Sequence, residues 1–253
     1  MRSGYYEPGE KRAARVGDLF AAIAPRYDLI NDLQSVGCHR LWKRRLVRLA
    51  APHPGQCALD LCCGTGDVAL SLAAQGAQVV GLDFSEPMLS VARRRRAVRS
   101  GARAPDRGAS TIAGAPLNPA LVRGDALQLP FPDGSFDVVT ISYGLRNLAD
   151  WEHGLREMLR VTRAGGQLLV LDFGKPDNAA WRACYFAYLR VCVPLFGWVF
   201  CGDARTHAYI LTSLRHYPAH HVVAAKMRDL GCRDTRILPL LGGVMTIHQG
   251  MKA

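Results

Sequence analysis

The sequence predicts an α/β fold with a doubly wound, mostly parallel sheet of seven strands. Three observations indicate it. Short apolar runs alternate with helical periodicities through residues 57–171. A glycine-rich turn separates the first run from the first helix, and Asp83 and Asp125 follow the second and third runs. Because the carboxyl ends of parallel strands meet at one edge of a sheet, we expect a ligand site at that edge.

The elements follow in order along the chain. Residues 1–55 predict an N-terminal helical cap, with one helix over 11–24 that stops at Pro25 and a basic amphipathic helix over 41–51. The predicted strands are 57–61, 78–83, 120–123, 136–142 and 166–171, followed by two closing strands at 232–238 and 244–249 that we expect to be antiparallel. The predicted helices among them are 68–75, 87–99, 151–160 and 220–230.

Two segments interrupt this rhythm within a single predicted domain, 1–253. Residues 100–119 are rich in Gly, Ala and Pro and predict a flexible insertion. Residues 176–220 predict a helical lid whose segment 179–201 is dense in large apolar side chains. That segment either covers a substrate, dips into a membrane interface or packs on the sheet. The arginines at 93–96 point around much of a helix, which favours a solvated helix end over a nucleic-acid patch.

The net charge, the cysteines and the apolar stretches limit the functions that this chain can have. The 253 residues carry a net charge of +11, which favours either an anionic partner, such as nucleic acid or a membrane, or a solvated arginine-rich surface. The eight cysteines form no CxxC pair, so we expect free thiols in a reducing cytoplasm and no metal site. No apolar stretch reaches the ~18 to 20 residues of a membrane span.

The glycine turn also carries charge. The pattern Gly64-x-Gly66-x-x-Ala69 formally fits a dinucleotide fingerprint, but Asp67 lies where a pyrophosphate would bind. Asp60 and Asp67 would instead favour a cofactor with an ammonium and a sulfonium. We therefore favour S-adenosylmethionine over NAD.

The strand ends support a nucleoside. Asp83 can accept both ribose hydroxyls, and Asp125 can accept from the exocyclic amine of adenine. Phe84 or Met88 can lie against the purine face. The alternative for each residue is an ordinary cap or turn at the end of a strand.

Two further motifs carry a family resemblance that covers nearly the whole chain. Tyr27-Asp28-Leu29-Ile30-Asn31 is followed by Ser35, His39 and Trp42, and the fourth strand runs into Gly144-Leu145-Arg146-Asn147. The chain resembles the class I, Rossmann-like methyltransferases of menaquinone and ubiquinone biosynthesis. It departs from them at Ala164, where proline is usual, and at Asp172-Phe173-Gly174, which replaces a Glu-x-Ser pattern.

The resemblance implies an enzyme that transfers a methyl group from S-adenosylmethionine to a ring carbon of a polyprenylated quinol, with demethylmenaquinol as the favoured substrate. It implies a lipid-soluble quinol partner, a cytoplasmic location with peripheral contact at the inner face of the membrane, and compatibility with a homodimer. The cofactor-binding set that the residues and the resemblance together predict is Asp60, Gly64, Thr65, Gly66, Asp83, Phe84, Asp125, Ala126 and Ser142.

Methylation at carbon needs a deprotonated ring hydroxyl. Arg146 can stabilise the phenolate and Asn147 can orient the hydroxyl or a water. The candidate bases are Tyr27, His39 and Asp28, or a bound water. The alternatives are a structural salt bridge for Arg146 and packing at a helix N-terminus for His39.

Four other functions stay open at this point. An RNA methyltransferase would explain the charge, but no RNA-binding module flanks the domain, so no nucleic-acid partner is expected. A non-catalytic assembly subunit would lose some of the site residues, and this chain keeps them. An NAD-linked oxidoreductase and a methyltransferase for another small molecule are the remaining alternatives.

Overall fold

The computed structural model describes residues 17–18, 20–99, 118–201 and 204–253. Its centre is one seven-stranded sheet in the order β3-β2-β1-β4-β5-β7-β6. The first five strands pair in parallel, and β7 pairs antiparallel with both β5 and β6. The strands are β1 (Cys57–Leu61), β2 (Gln78–Asp83), β3 (Ala120–Arg123), β4 (Phe136–Ser142), β5 (Thr162–Phe173), β6 (Cys232–Leu240) and β7 (Met245–Lys252). The predicted fold class and the antiparallel closing strands are confirmed.

Helices lie on both faces of this sheet. They are α1 (Tyr27–Ser35), α2 (Cys38–Ala50), α3 (Asp67–Ala73), α4 (Glu86–Arg99), α5 (Trp151–Val161), α6 (Ala179–Cys201), α7 (Ala204–His216) and α8 (His220–Asp229). No helix among the residues described is long and apolar enough to cross a bilayer.

The pleat of the strands divides the core into two clusters. Leu59 and Leu61 of β1 pack with Leu155 and Met158 of α5 on one face. Ala58 of the same strand packs on the other face, in a cluster that the helices α2, α3, α6 and α7 complete. Because successive strand residues point to opposite faces, alternate apolar residues along each strand hold both helical layers, with about 1.5–3 kcal/mol for each large side chain fully buried.

The N-terminal helices depart from the prediction at both boundaries. Pro25 does not end the helical region, because it sits in the first turn of a 3-10 segment, Ala24–Arg26, that leads directly into α1. Proline is tolerated there since its missing N–H needs no partner. Helix α2 begins three residues earlier than predicted, at Cys38, after Gly37 reverses the chain with φ 74°.

Helix α6 settles part of the prediction for 179–201. Tyr185, Leu189 and Val193 are buried in the core cluster, so this part of the segment packs on the sheet. The predicted insertion at 100–119 falls almost wholly outside the described residues. Of the predicted helix at 11–24, residues 17–18 and 20–23 are described and are helical. Strand β5 is longer than predicted because it begins at Thr162 and continues past a register shift opposite Phe136 and Val138.

Candidate active site

The turn after β1 exposes its backbone to an open space at the edge of the sheet. Gly64 and Gly66 have φ of 55° and 85°, which favour glycine. A Cβ atom on Gly64 would meet no atom within 4 Å, so the space beside it is open to a ligand. A Cβ atom on Gly144 would lie 2.6 Å from Cys62 Cβ, so this second glycine lets the loop after β4 pack against the turn.

A cavity of about 130 Å³ opens beside Gly64 and follows the carboxyl ends of the strands. Its wall includes Asp83, Asp125 and Ser142, at the ends of β2, β3 and β4. The sequence-predicted cofactor residues on this wall are Gly64, Asp83, Phe84, Asp125, Ala126 and Ser142. We call this space the strand-end cavity.

The carboxylates in the strand-end cavity are held by backbone amides. Gly64 N donates to Asp83 Oδ2 and Ser85 N to Asp83 Oδ1, both at 2.8 Å. Leu127 N donates to Asp125 Oδ1 at 2.8 Å. A carboxylate oxygen has two acceptor sites, so both groups keep capacity for ligand hydroxyls or an amine. Burial raises the pKa of Asp83, and the amide hydrogen bonds partly offset that rise.

Asp60 and Asp67 present no free charge to the strand-end cavity, so the prediction that they attract a cationic cofactor is wrong. Asp67 pairs with Lys43 Nζ at 2.9 Å and Arg95 NH1 at 2.7 Å, so its charge is already neutralised. Asp60 is buried behind the turn, accepts from Thr140 Oγ1 at 2.8 Å, and burial raises its pKa to about 7. Neither carboxylate lies on the wall of the strand-end cavity.

Arg95 joins helix α1 to the glycine turn. Its guanidinium pairs with Asp28 and with Asp67, and it donates to Thr65 Oγ1 at 3.1 Å. Thr65 Oγ1 in turn donates to Asp28 Oδ1 at 3.1 Å. Thr65 and Gly66, like Asp60, therefore support the turn from outside the cavity wall. We call Arg95, Asp28, Asp67, Thr65 and Lys43 the ion-pair cluster.

A second cavity, of about 360 Å³, lies between the N-terminal helices and α6. Its walls are mainly apolar and aromatic, with Trp42, Phe173 and Tyr185 among them. Val36, Trp181 and Leu241 line this space and are also exposed, so they form its rim. We call it the apolar cavity. Large apolar pockets with few polar groups are typical of sites for lipophilic ligands.

His39 is one of the few polar residues of the apolar cavity, and its tautomer can be read from its neighbours. Ser35 Oγ donates its one hydrogen to Asn31 O at 2.6 Å and lies 3.0 Å from His39 Nδ1. Nδ1 must therefore carry a proton and donate to Ser35 Oγ. Nε2 is then an acceptor, and it is buried with no partner among the described residues. Burial, with help from Lys43, lowers the pKa of His39, so the ring is neutral at pH 7.

Arg146 and Asn147 are neighbours in sequence, but only Asn147 lines the strand-end cavity. Asn147 lies on the wall of the strand-end cavity and donates from Nδ2 to Tyr143 O at 2.9 Å. Arg146 is buried outside both cavity walls, with Nε 3.2 Å from Asp172 Oδ1 and NH1 donating to Asn147 Oδ1 at 2.7 Å. The salt bridge that was the alternative for Arg146 is present, and Arg146 lines neither of the two cavities.

Tyr27 and Asp28 complete the predicted set of bases. Tyr27 lines the strand-end cavity, and burial raises its pKa, with Lys43 as the main opposing influence. Asp28 is engaged by Arg95 and Thr65. His39 is therefore the best placed of the three to accept a proton.

Sequence reasoning missed Tyr143, Phe173 and Arg95. Tyr143 lies between the fourth strand and the Gly144–Asn147 motif, and no local pattern indicates that it lines two cavities. Arg95 belongs to the arginine run that was interpreted as a solvated helix end, whereas it is half-buried in the ion-pair cluster. The pairing of Arg95 with Asp28 spans 67 residues and leaves no local signal.

Comparison with known proteins identifies relatives along nearly the whole chain. The model of the ubiE/COQ5 methyltransferase family matches residues 9–252. A ubiquinone/menaquinone biosynthesis C-methyltransferase, UbiE, of Azotobacter vinelandii is 38% identical over 248 residues, which are 97% of this chain and 92% of that protein. A demethylmenaquinone methyltransferase of Desulfitobacterium hafniense is 37% identical over 249 residues, which are 96% of this chain and 92% of that protein.

Solved structures share the fold at lower identity. A SAM-dependent methyltransferase of Thermotoga maritima, described as a possible histamine N-methyltransferase, superposes with a TM-score of 0.62 at 18% identity, over 93% of this chain and 99% of that one. Phosphoethanolamine N-methyltransferase 2 of Haemonchus contortus, in complex with phosphomonomethylethanolamine and S-adenosylhomocysteine, has a TM-score of 0.58 at 14% identity, over 83% of this chain and 52% of that one. At these identities the likeness is one of fold.

Proposed function

The chain belongs to the ubiE/COQ5 methyltransferase family, and we propose that it transfers the methyl group of S-adenosylmethionine to a ring carbon of a polyprenylated quinol. The observation that carries this proposal is that two cavities of different chemistry lie next to each other, since Tyr143 is on the wall of both. One cavity offers carboxylates and backbone amides, and the other offers aromatic and aliphatic surface. Demethylmenaquinol is the proposed substrate, since the relative from Desulfitobacterium hafniense is a demethylmenaquinone methyltransferase.

The residues of the strand-end cavity fit S-adenosylmethionine. Asp83 keeps acceptor capacity for the ribose hydroxyls, and Asp125 Oδ2 accepts nothing from the described residues, which leaves it for the adenine amine. Phe84 is 47% exposed and lines the same cavity, so its ring is available to a purine. We propose that Ser142 and the Gly64 backbone lie beside the methionine moiety, and that Asp60, Thr65 and Gly66 hold the turn.

The substrate fits the apolar cavity. We propose that the quinol ring lies near Tyr143 and that the first isoprene units of the tail pack among Trp42, Phe173 and Tyr185. Burial of apolar surface stabilises such a tail by about 0.8 kcal/mol for each CH₂ group. The exposed rim then leads the rest of the tail out of the protein.

The reaction balances with one base. When bound, S-adenosylmethionine supplies an electrophilic methyl group, and the sulfur–methyl bond breaks with its electron pair left on sulfur. The quinol hydroxyl gives its proton to the base, so that the phenolate places charge on the ring carbon that forms the new carbon–carbon bond. That carbon then loses its hydrogen as a proton and the ring oxygen regains one, so one proton is released for each methyl group transferred.

We propose His39 as this base. Ser35 holds the ring with Nδ1 protonated, and Asp32 Oδ1 lies 3.6 Å from the same nitrogen, where it stabilises the positive ring that forms on proton uptake. Nε2 has a lone pair and no other partner among the described residues. Geometry and protonation state therefore agree, as general base catalysis requires.

Arg146 is proposed as a positioning residue. Its guanidinium lies 4.6 Å from the centroid of the Phe173 ring, and its NH1 fixes the amide of Asn147. The Arg146 and Asp172 charges are both buried, so their pairing is worth little by itself but is costly to break. Asn147, which lines the strand-end cavity, is then available to orient the quinol or a bridging water.

We also propose peripheral contact with the inner face of the cytoplasmic membrane. Val36 is 87% exposed with φ 50° and Leu241 is 59% exposed with φ 48°. A left-handed backbone is strained for such side chains, and both lie at the rim of the apolar cavity. Leu41, Arg44 and Arg45 are exposed on the neighbouring helix α2, which adds apolar surface and positive charge. The homodimer stays a prediction.

A methylation assay tests the proposed function. Purified protein is incubated with methyl-labelled S-adenosylmethionine and, separately, with reduced demethylnaphthoquinol, the corresponding demethylated benzoquinol, and RNA. We expect label in the naphthoquinol ring. Label in RNA with none in either quinol would overturn the proposal and favour the RNA methyltransferase.

A further inference from the structure

Tyr143 occupies a place that no other described residue shares, because it lies on the walls of both the strand-end cavity and the apolar cavity. It follows directly on β4, whose last residue is Ser142. Residue Tyr143 therefore stands at the boundary of the two cavities.

The backbone holds Tyr143 in an unusual conformation. Its φ is 60°, in the left-handed region that a bulky residue rarely adopts. Tyr143 N donates to Leu171 O at 2.8 Å, and Asn147 Nδ2 donates to Tyr143 O at 2.9 Å. Both backbone polar groups of Tyr143 are therefore hydrogen-bonded. Strain of this kind costs about 1–3 kcal/mol and clusters where function needs a side chain in one orientation.

The Tyr143 hydroxyl is buried and has no hydrogen-bond partner among the described residues. A buried hydroxyl without a partner costs about 1–3 kcal/mol, so this group is expected to meet one when the site is filled. The Tyr143 ring packs edge-on against the Phe173 ring, with 5.7 Å between the two centroids. Lys43 Nζ lies 5.9 Å from the centroid of the Tyr143 ring. Burial raises the pKa of Tyr143 well above its usual range, so the hydroxyl keeps its proton and can donate.

We propose that the Tyr143 hydroxyl donates a hydrogen bond to the quinol oxygen that becomes the phenolate, and so stabilises the negative charge from which methyl transfer proceeds. The inference rests on the proposed function and deepens it. His39 then takes the proton, and Tyr143 steadies the oxygen that loses it. Donors aimed at developing charge in a dry site contribute more in the transition state than in the ground state.

The test compares Tyr143→Phe with Tyr217→Phe. Tyr217 is a matched control because its hydroxyl is also buried and without a partner among the described residues, yet it lines neither cavity. Both changes remove one oxygen and keep the ring. For each variant and the wild type, single-turnover methylation of short-tailed demethylnaphthoquinol, the Kd for S-adenosylmethionine and the melting temperature are measured.

We expect Tyr143→Phe to slow single-turnover methylation at least tenfold, toward the about 10²–10³-fold that the loss of one oxyanion donor costs. Its cofactor Kd should stay close to the wild type and its melting temperature should not fall, because the lost hydroxyl has no partner among the described residues. Tyr217→Phe should methylate at the wild-type rate. A Tyr143→Phe rate within twofold of the wild type would overturn the inference, as would equal losses in both variants. Failure of the wild type to methylate the quinol would instead refute the proposed function.

Discussion

The strand-end cavity is built mainly from the loops that follow successive parallel strands, with Gly17, Phe20 and Tyr27 of the N-terminal region beside them, whereas the apolar cavity is built where two helical layers meet. The first collects the turns after β1, β2, β3 and β4, which the parallel sheet brings to one edge. The second joins helices α1 and α2 to α6 and to the loop before β7, from Asn31 to Met245. The difference teaches that the cofactor side follows from the fold, while the substrate side depends on how two helical layers pack over it.

The two cavities also differ in what closes them. Charged side chains of the ion-pair cluster tie α1 to the glycine turn beside the strand-end cavity. Apolar side chains close the other, with Tyr185 and Leu189 of α6 packed on the sheet. Changes on the cofactor side should therefore affect cofactor affinity, and changes on the apolar side should affect the quinol and its chemistry.

The largest effect is expected on the apolar side, at His39. The variant His39→Asn keeps a donor for Ser35 but removes the Nε2 lone pair, so kcat should fall by about 10²–10⁴-fold while the cofactor Kd stays unchanged. Methylation kinetics and isothermal titration calorimetry measure the two quantities. A loss of cofactor affinity that matched the loss in kcat would contradict the division between the cavities.

The same residue gives a pH dependence with a defined sign. His39 must be neutral to accept a proton, and its pKa lies below its ordinary value of about 6.5 because of burial and the nearby charge of Lys43, with Asp32 opposing. Activity should rise with pH through a limb below about pH 6.5 and stay level above it. The limb should vanish in His39→Asn, and an unchanged limb would assign it to another group.

The next effect is expected on the cofactor side, at Asp83. The variant Asp83→Asn removes the charge that accepts from Gly64 N and Ser85 N and from the ribose, so cofactor affinity should fall by about 10–10²-fold. The quinol KM at saturating cofactor should change little. Asp133→Asn, whose carboxylate is exposed, is the control and should bind the cofactor as the wild type does.

A smaller effect is expected at the ion-pair cluster. The variant Arg95→Ala removes the link between Asp28 and Asp67 and should weaken cofactor binding about fivefold, or about 1 kcal/mol, since Arg95 is about one-third exposed. Arg93→Ala, which loses a pair with Glu86 on the same helix, is the matched control. Equal cofactor Kd values in the two variants, measured at low and high salt, would show that the cluster does not hold the turn.

The smallest effect is expected at the rim of the apolar cavity. Val36→Asp should lower flotation of the protein with vesicles that contain anionic lipid by a few-fold, because it places a charge where an apolar side chain meets the bilayer. Val98→Asp is the control, since Val98 is 82% exposed on helix α4 and lines neither cavity. Equal flotation of the two variants would remove the proposed membrane contact.

The sequence predicted what local patterns determine. Alternating apolar runs predicted the strands, and Asp83 and Asp125 lie at one edge because parallel strands align their carboxyl ends. The charge on Asp67 misled, because its partners Lys43 and Arg95 lie 24 and 28 residues away along the chain. The double contact of Tyr143 depends on how α1, α2 and α6 pack over the sheet, which no local pattern encodes.

The central claim, that the apolar cavity holds the prenyl tail while the strand-end cavity holds the cofactor, is tested most directly by tail length. Single-turnover methylation and substrate Kd are measured for demethylnaphthoquinols with no tail, one isoprene unit and two. We predict that the first units raise affinity at least tenfold, as about 0.8 kcal/mol for each buried CH₂ group allows, with the cofactor Kd unchanged. Equal affinity for the tailless and tailed quinols would contradict the claim.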